Sequence, residues 1–267
     1  MKYLNRLALP ALVVLVPAAC SKLAASSTGS APEASSTATA AAASTPLSTS
    51  SAVAAHDPAH PPIDCPLRKA GINPDHLKPF EDTEKYIEFL DRPDRAAWQK
   101  PNDIVHDLAL RGNEVVADVG AGSGYFSFRF ASALPHGRVV AIDVEPEMIR
   151  HIHHKAMMEG VTNLGEVIAS ATDPSVPNDA DIVFICDVLH HVQDQAAWLG
   201  TLHKEMKPGS DLVLVEFKEG DLPQGPPASV KIPKARLLSL VSDAGFRLDH
   251  EQKDLLPYQL FLVFRRP

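Results

Sequence analysis

Abundant cysteine, long apolar runs and an excess of positive charge are all missing from this sequence. Its 267 residues include 3 Cys, too few for a framework of disulfides. No apolar run reaches the roughly 20 residues that a membrane-spanning helix needs. Lys and Arg number 25 against 33 Asp and Glu, for a net charge of −8. This balance argues against nucleic acid as the partner, because phosphate binding favours a basic face.

The first 20 residues have the pattern of a signal peptide. Lys2 and Arg6 form a small positive region, and the apolar stretch after them is too short to span a membrane comfortably. The stretch ends in Ala-Ala-Cys20, which resembles the lipobox of bacterial lipoproteins. We therefore expect lipidation of Cys20 and export of the protein as a lipoprotein of the periplasm or the outer membrane. In this interpretation the lipid is the only membrane anchor. The alternative is an ordinary cleaved signal in which Cys20 has no role.

Residues 21–61 are predicted to be a disordered tether. Ala, Ser and Thr fill 26 of the 32 positions from Ala24 to Ala55, so there is almost nothing large and apolar to bury. Residues 62–100 form a prefix with a predicted helix from Asp82 to Leu90. This prefix either packs over the ligand-binding edge of the following domain as a lid, or is a simple packing extension.

From residue 101 to residue 267 the chain alternates short apolar strands with helices. Five strands are predicted at 115–119, 138–142, 165–170, 181–186 and 211–217, and helices at 101–111, 126–134, 146–159, 195–206 and 233–244. Two last strands, near 246–252 and 259–264, have no helix between them and must pair antiparallel. The pattern predicts a doubly wound α/β sheet.

A glycine-rich turn follows the first predicted strand and opens a helix. It reads Asp118-Val119-Gly120-Ala121-Gly122-Ser123-Gly124-Tyr125. A dinucleotide fingerprint is opposed by Tyr125, which stands where its last glycine would fall. A nucleophile elbow around Ser123 lacks both of its flanking glycines. The remaining pattern, with Asp143 closing the next strand, suits a ligand that has an amino-acid tail and a ribose but no phosphate.

These motifs together resemble those of class I S-adenosylmethionine-dependent methyltransferases. The resemblance includes Asp143 after strand two, residues 187–191 (Asp-Val-Leu-His-His) after strand four, and residues 202–209 before strand five. The final hairpin matches the reversed seventh strand of that family, which implies a seven-stranded, mostly parallel Rossmann-like sheet. Residues 98–101 and 256–259 resemble a bacterial subgroup of the family.

The resemblance implies S-adenosylmethionine as the cofactor. The implied binding residues are Asp118, Gly120, Gly122, Gly124, Tyr125, Asp143, Asp173 and Asp187. The glycines are expected beneath the amino-acid part of the cofactor, with Asp118 facing its ammonium group directly or through water. Asp143 is expected to accept both ribose hydroxyls, a geometry that suits a carboxylate. Asp173, or Thr172 in another register, is expected at the adenine amino group, and Tyr125 near the sulfonium.

His190 and His191 are candidates for a catalytic base, and Asp187 is expected beside the same reacting centre. Methyl transfer is a displacement at an activated carbon, so alignment of the reactants supplies much of the rate. A base is needed only if the acceptor must lose a proton. The sequence does not choose between the two histidines, and one of them could be structural. No metal site is predicted.

The sequence is compatible with two functions. The first is methyl transfer to a small-molecule acceptor, with no nucleic-acid partner. The alternative is a catalytically silent, membrane-tethered binding module on the same fold. Export conflicts with the first function, because S-adenosylmethionine is made in the cytosol. The complete glycine turn, together with Asp118 and Asp143, favours retained cofactor binding.

Overall fold

A computed structural model describes residues 66–72 and 80–267. The predicted signal segment, Cys20 and the tether lie outside the described residues. The chain divides into two units, Met1–Ser51 and Ala52–Pro267, and every described residue belongs to the second. Within the described ranges, no helix has the length and apolar character needed to cross a membrane.

Seven strands and eight α-helices make up the described chain. The strands are β1 Val115–Val119, β2 Arg138–Asp143, β3 Leu164–Ile168, β4 Ile182–Cys186, β5 Asp211–Phe217, β6 Arg247–Glu251 and β7 Gln259–Arg265. The helices are α1 Pro66–Lys69, α2 Phe80–Leu90, α3 Arg95–Gln99, α4 Pro101–Asp107, α5 Ser127–Ala133, α6 Pro146–Glu159, α7 Gln195–Glu205 and α8 Lys234–Asp243.

The strands form one sheet in the order β3-β2-β1-β4-β5-β7-β6. Strands β1 to β5 are parallel, and β7 pairs antiparallel with both β5 and β6. The predicted seven-stranded, doubly wound sheet with a reversed last strand is therefore confirmed. The strand order reverses between β1 and β4, and open α/β sheets bind their ligands at such a point.

Helix boundaries follow local sequence signals. Helix α6 begins at Pro146, which is favourable in a first turn, and ends before Gly160, whose φ is +69°. Its residues Ile149 and Ile152 lie on one face and are fully buried. Helix α4 ends at Asp107, earlier than predicted, because Ala109 adopts a left-handed φ of +47° that does not continue a helix.

The central strands are mostly apolar because helices cover both faces of the sheet. Val116 of β1 packs in one cluster with Phe130 of α5, and its neighbour Ala117 packs in the other with Leu202 of α7. Successive strand residues point to opposite faces, so one short run supplies both layers. This burial fixes the strand ends that carry the polar residues of the site.

Candidate functional site

A cleft of about 1320 Å³ opens at the carboxyl ends of the central strands. The glycine turn after β1, the end of β2 and the segment after β4 all line it. The prefix also lines it, through residues of α2 and α3 and the turn between them. Most of the residues that the sequence singled out are thus brought together at one edge of the sheet.

The glycine turn approaches its surroundings too closely for side chains. Gly120 has a φ of +74°, and a Cβ there would lie 2.2 Å from Cγ2 of Val188. Gly124 has a φ of +79°, and its Cβ would lie 2.8 Å from the ring of Phe128. The amides of Gly120 and Ala121 both donate to the carbonyl of Ile142, at 2.7 and 3.0 Å. The turn is therefore a rigid cradle of backbone facing the cleft.

Asp143 closes β2 and shapes the same cradle. Its Oδ2 accepts from the amide of Gly122 at 2.8 Å, and its Oδ1 accepts from the amide of Glu145 at 2.9 Å. Burial raises the pKa of this carboxyl, although the two amide hydrogen bonds oppose the rise. Each carboxylate oxygen can accept more than one hydrogen bond. The residue can therefore hold the turn and still receive two hydroxyls from the cleft.

Asp118 lies beneath the turn instead of lining the cleft. Its side chain is 3% exposed and accepts from Oγ of Ser127 at 2.5 Å. Burial raises the pKa of Asp118 to about 7, against the hydrogen bond from Ser127. Of the two arrangements expected for Asp118, this depth favours an indirect contact with a cofactor ammonium group.

Tyr125, which was expected near a sulfonium, packs between two arginine side chains. It is absent from the cleft lining, and the guanidinium carbons of Arg95 and Arg129 each lie 4.1 Å from its ring centroid. The ring thus already serves as a cation–π partner. These two long cationic side chains come from α3 and α5, and a place for Tyr125 near a sulfonium stays a prediction.

Asp173 also lies away from the cleft. It is exposed, and its Oδ1 accepts from the amide of Ser175 at 2.8 Å, which lowers the pKa of the carboxyl. Strand β3 ends at Ile168, before the predicted position, and the chain then forms a tight pairing between Ser170 and Asp173. Thr172 lines the cleft. Thr172, the alternative to Asp173 in the sequence analysis, is thus the one of the two that lies at the cleft.

Asp187 is at the cleft immediately after β4, with a left-handed φ of +59°. Gln259 donates through Nε2 to both of its oxygens, at 2.7 and 2.8 Å, and Gln99 donates to Oδ2 at 3.0 Å. Burial raises the pKa of Asp187, and the negative charge of Glu216 adds to the rise. The two glutamines come from β7 and α3, so distant parts of the chain hold this carboxylate.

His190 and His191 lie in a 3₁₀ turn after Asp187, and both line the cleft. Nδ1 of His190 is 2.8 Å from Oε2 of Glu216, whose Oε1 accepts from the amide of Leu189 at 2.7 Å. Burial opposes protonation of His190, but Glu216 outweighs it, and the net result is a raised pKa. Burial and then the charge of His190 lower the pKa of His191. The structure distinguishes two histidines that the sequence did not.

Sequence reasoning missed Glu216, Gln99 and Gln259. Glu216 is the single charge inside the apolar run of residues 212–217, and this was a usable signal, since a charge is rarely buried unless it is paired. Gln99 and Gln259 lie in the two segments that resemble the bacterial subgroup, but no local pattern shows that they meet Asp187, because each does so only through the tertiary fold.

Besides the hydrogen bond from Gln99 to Asp187, three further contacts join the prefix to the cleft. Oγ of Ser123 in the glycine turn donates to Oδ1 of Asp91 at 2.5 Å. Cδ1 of Leu90 lies 3.2 Å from where a Cβ on Gly122 would be. Arg92 donates to Oε1 of Gln224 at 3.0 Å. The prefix therefore contacts both the glycine turn and the segment after β5.

Comparison with known proteins places this geometry in context. A family model described as a methyltransferase domain matches residues 110–243. A tRNA U34 carboxymethyltransferase of Desulfotalea psychrophila is 28% identical over 120 residues, 44% of this chain and 36% of that protein. A ubiquinone/menaquinone biosynthesis C-methyltransferase of Marinomonas is 27% identical over 155 residues, 57% of this chain and 56% of that protein. The chain thus spans about a third to just over half of the length of these curated relatives.

Solved structures share the fold. A SAM-dependent methyltransferase from Aquifex aeolicus superposes with a TM-score of 0.64 at 23% identity, over 68% of this chain and 98% of that one. Human N-acetylserotonin methyltransferase in complex with SAM gives a TM-score of 0.57 at 17% identity, over 75% of this chain and 61% of that one.

Proposed function

The chain belongs to the methyltransferase family, with S-adenosylmethionine as its cofactor, and we propose that it transfers the methyl group to a small-molecule acceptor. The observation that carries the proposal is the joint construction of the glycine turn and Asp143. The carboxylate fixes the amide of Gly122 and faces the cleft from the end of β2. A backbone cradle beside a buried acid fits an amino-acid tail and a ribose.

The chain's own residues would divide the work of holding this cofactor. The cradle at Gly120 and Gly122 would pass beneath the amino-acid part, and Asp143 would accept the ribose hydroxyls. Thr172 is placed at the cleft for the adenine end. When bound, the cofactor supplies a methyl carbon on a positively charged sulfur, which keeps the electron pair as the carbon forms its new bond.

His190 is the proposed base for an acceptor that must lose a proton. Glu216 sits at Nδ1, so a proton on Nδ1 is held by the carboxylate and Nε2 keeps its lone pair. Nε2 can then take the proton of an acceptor hydroxyl. Glu216 is the positioning residue, and the raised pKa of His190 makes the imidazole a stronger base.

The charge of the cleft supports a small acceptor over a nucleic acid. Among the residues that line it, Arg92 and Arg95 are basic and none is Lys. Both arginines are engaged, Arg92 with Gln224 and Arg95 with Gln99. A chain with a net charge of −8 and no free basic patch at its cleft is poorly suited to a phosphate backbone. The two relatives named for tRNA modification are matched over 36% and 35% of their lengths.

We also propose that residues 101–267 carry out catalysis and that residues 62–100 act as a lid over the cleft. The contacts of the prefix with the cleft support this division. The export signal and lipidation of Cys20 remain proposals that rest on the sequence of residues 1–20. Metabolic labelling with a radioactive fatty acid tests them, because a Cys20→Ser variant should lose a label that the unaltered chain carries.

Calorimetric titration of the purified chain with S-adenosylmethionine and S-adenosylhomocysteine tests the proposed function. We expect micromolar dissociation constants for both ligands, and methyl transfer when an acceptor is supplied. If neither ligand produces heat on titration or a shift in melting temperature, the proposed methyltransferase activity is wrong. A catalytically silent binding module would then be favoured.

A further inference from the structure

Arg95 of α3 lies beside the glycine turn, although it belongs to the prefix and stands outside the matched methyltransferase domain of residues 110–243. The residue lines the cleft. Its guanidinium carbon lies 4.1 Å from the ring centroid of Tyr125, which follows Gly124 directly in the chain. The prefix thus brings a positive charge to the turn that is proposed to hold the amino-acid part of the cofactor.

The prefix itself holds two of the three guanidinium nitrogens of Arg95. Nη1 donates to the carbonyl of Leu90 at 2.7 Å, and Nε donates to Oε1 of Gln99. Within the described ranges Nη2 makes no hydrogen bond, and it is not sealed from solvent. The N–H groups of a guanidinium form a planar fork that matches a carboxylate. The side chain is therefore fixed in orientation and still has N–H groups for an anion in the cleft.

Acidic side chains lie near Arg95, but among the described residues none forms an ion pair with it. Its positive charge opposes the rise in the pKa of both Asp118 and Asp187, so it lies within electrostatic reach of the ends of β1 and β4. Gln99 connects it to Asp187, because Nε2 of Gln99 donates to Oδ2 of Asp187 at 3.0 Å. This part of the cleft therefore combines acids with a cation that has no anionic partner.

An α-amino acid group is complementary to this arrangement of charges. Its ammonium group suits the acids, and its carboxylate suits the guanidinium. The glycine turn offers backbone alone and has no cationic side chain from Gly120 to Gly124. Arg95 supplies from another part of the chain the charge that the turn lacks.

We propose that Arg95 binds the carboxylate of the cofactor's amino-acid tail. This inference rests on the proposed function and adds to its cofactor site a binding residue from the prefix. The prefix is then a part of the cofactor site as well as a lid, and Gln99 links the bound carboxylate to Asp187 beside the reacting centre.

Two ligands that differ only in the carboxylate test the inference. They are S-adenosylhomocysteine and its decarboxylated analogue, S-adenosyl-3-thiopropylamine, and each is titrated calorimetrically into the full chain. We expect the carboxylate to tighten binding at least tenfold, as hydrogen bonds between charged groups do. This comparison needs no substitution, so a folding defect cannot affect it. Equal affinities of the two ligands would overturn the inference.

Two variants assign the preference to a side chain. Arg95→Gln removes the charge, so the preference for the carboxylate should fall to about twofold or less. Arg129→Gln is the matched control, because Arg129 lies at the same 4.1 Å from the Tyr125 ring but does not line the cleft. It should keep the full preference.

A purely structural role of Arg95 gives a different result. Arg95→Gln would then weaken both ligands by the same factor and keep the preference, which would overturn the inference. Loss of the preference in Arg129→Gln would overturn it as well. In each case S-adenosylhomocysteine still binds the unaltered chain, and the proposed function stands. Failure of both ligands to bind the unaltered chain would overturn the inference and the proposed function together.

Discussion

Nδ1 of His190 lies 2.8 Å from Oε2 of Glu216, and the two side chains are 4% and 2% exposed. The carboxylate is fixed from its other oxygen by the amide of Leu189. A buried imidazole with one nitrogen held in this way presents the other nitrogen in a defined direction. The ring of His191 lies beside that of His190, with the centroids 4.1 Å apart and the planes tilted by 42°.

Replacement of Glu216 by Gln should change the pH dependence of turnover. The carboxylate raises the pKa of His190, so its loss lowers that pKa and moves the acidic limb of kcat to lower pH. We expect kcat at its optimum to fall about tenfold, because the imidazole becomes a weaker and less well oriented base. S-adenosylhomocysteine affinity should stay within twofold. An acidic limb that does not move would contradict the role given to this pair.

Asp143→Ala should weaken S-adenosylhomocysteine binding by at least tenfold, since charge-assisted hydrogen bonds contribute about 1.5–3 kcal/mol each. Asp173→Ala is the matched control, because Asp173 is exposed and lies off the cleft. It should leave the dissociation constant within twofold. Calorimetry on both variants distinguishes the two acids. A large effect of Asp173→Ala would show that Asp173, and not Thr172, is the residue at the adenine amino group.

Gly120→Ala should destabilise the protein far more than Gly160→Ala. The φ angles are similar, +74° and +69°, but a Cβ meets Val188 at 2.2 Å in the first case and nothing within 4 Å in the second. Backbone strain alone costs about 1 kcal/mol, whereas overpacking adds roughly 1–3 kcal/mol. Urea denaturation measures both values. Equal losses of stability would show that the turn yields easily and is not a rigid cradle.

Asp118→Asn should change how stability depends on pH. The pKa of Asp118 rises from 3.8 in the reference state to about 7 when buried, so the folded state holds a proton that the unfolded state has lost. The contribution of Asp118 to the free energy of unfolding is therefore fully present at low pH. It is lost as the pH rises from about 4 to 7. Relative to the variant, the free energy of unfolding of the unaltered chain should fall by about 3 kcal/mol between pH 5 and pH 8. If stability depends on pH in the same way in both proteins, the side chain of Asp118 is not a buried, protonated carboxyl in the folded state.

The sequence determined the order of strands and helices, the glycine turn and the place of Asp143. These features depend on local signals, namely apolar runs, Pro and Gly at helix ends, and an acid directly after a strand. Helix α6 and strand β5 were predicted with their observed bounds. Gly120 and Gly124 adopt positive φ angles, and Gly124 meets the nearby Phe128, whereas the contact that excludes a Cβ at Gly120 comes from the distant Val188.

Only the tertiary structure decided which polar groups meet at the cleft. Glu216 reaches His190 from the neighbouring strand, Gln259 reaches Asp187 from β7, and Thr172 takes the place at the cleft that Asp173 was expected to fill. Such pairings join residues that are far apart in the chain, and the one-dimensional pattern carries no information about their distance. Packing of the helices against the sheet sets that distance, and with it the chemistry of the site.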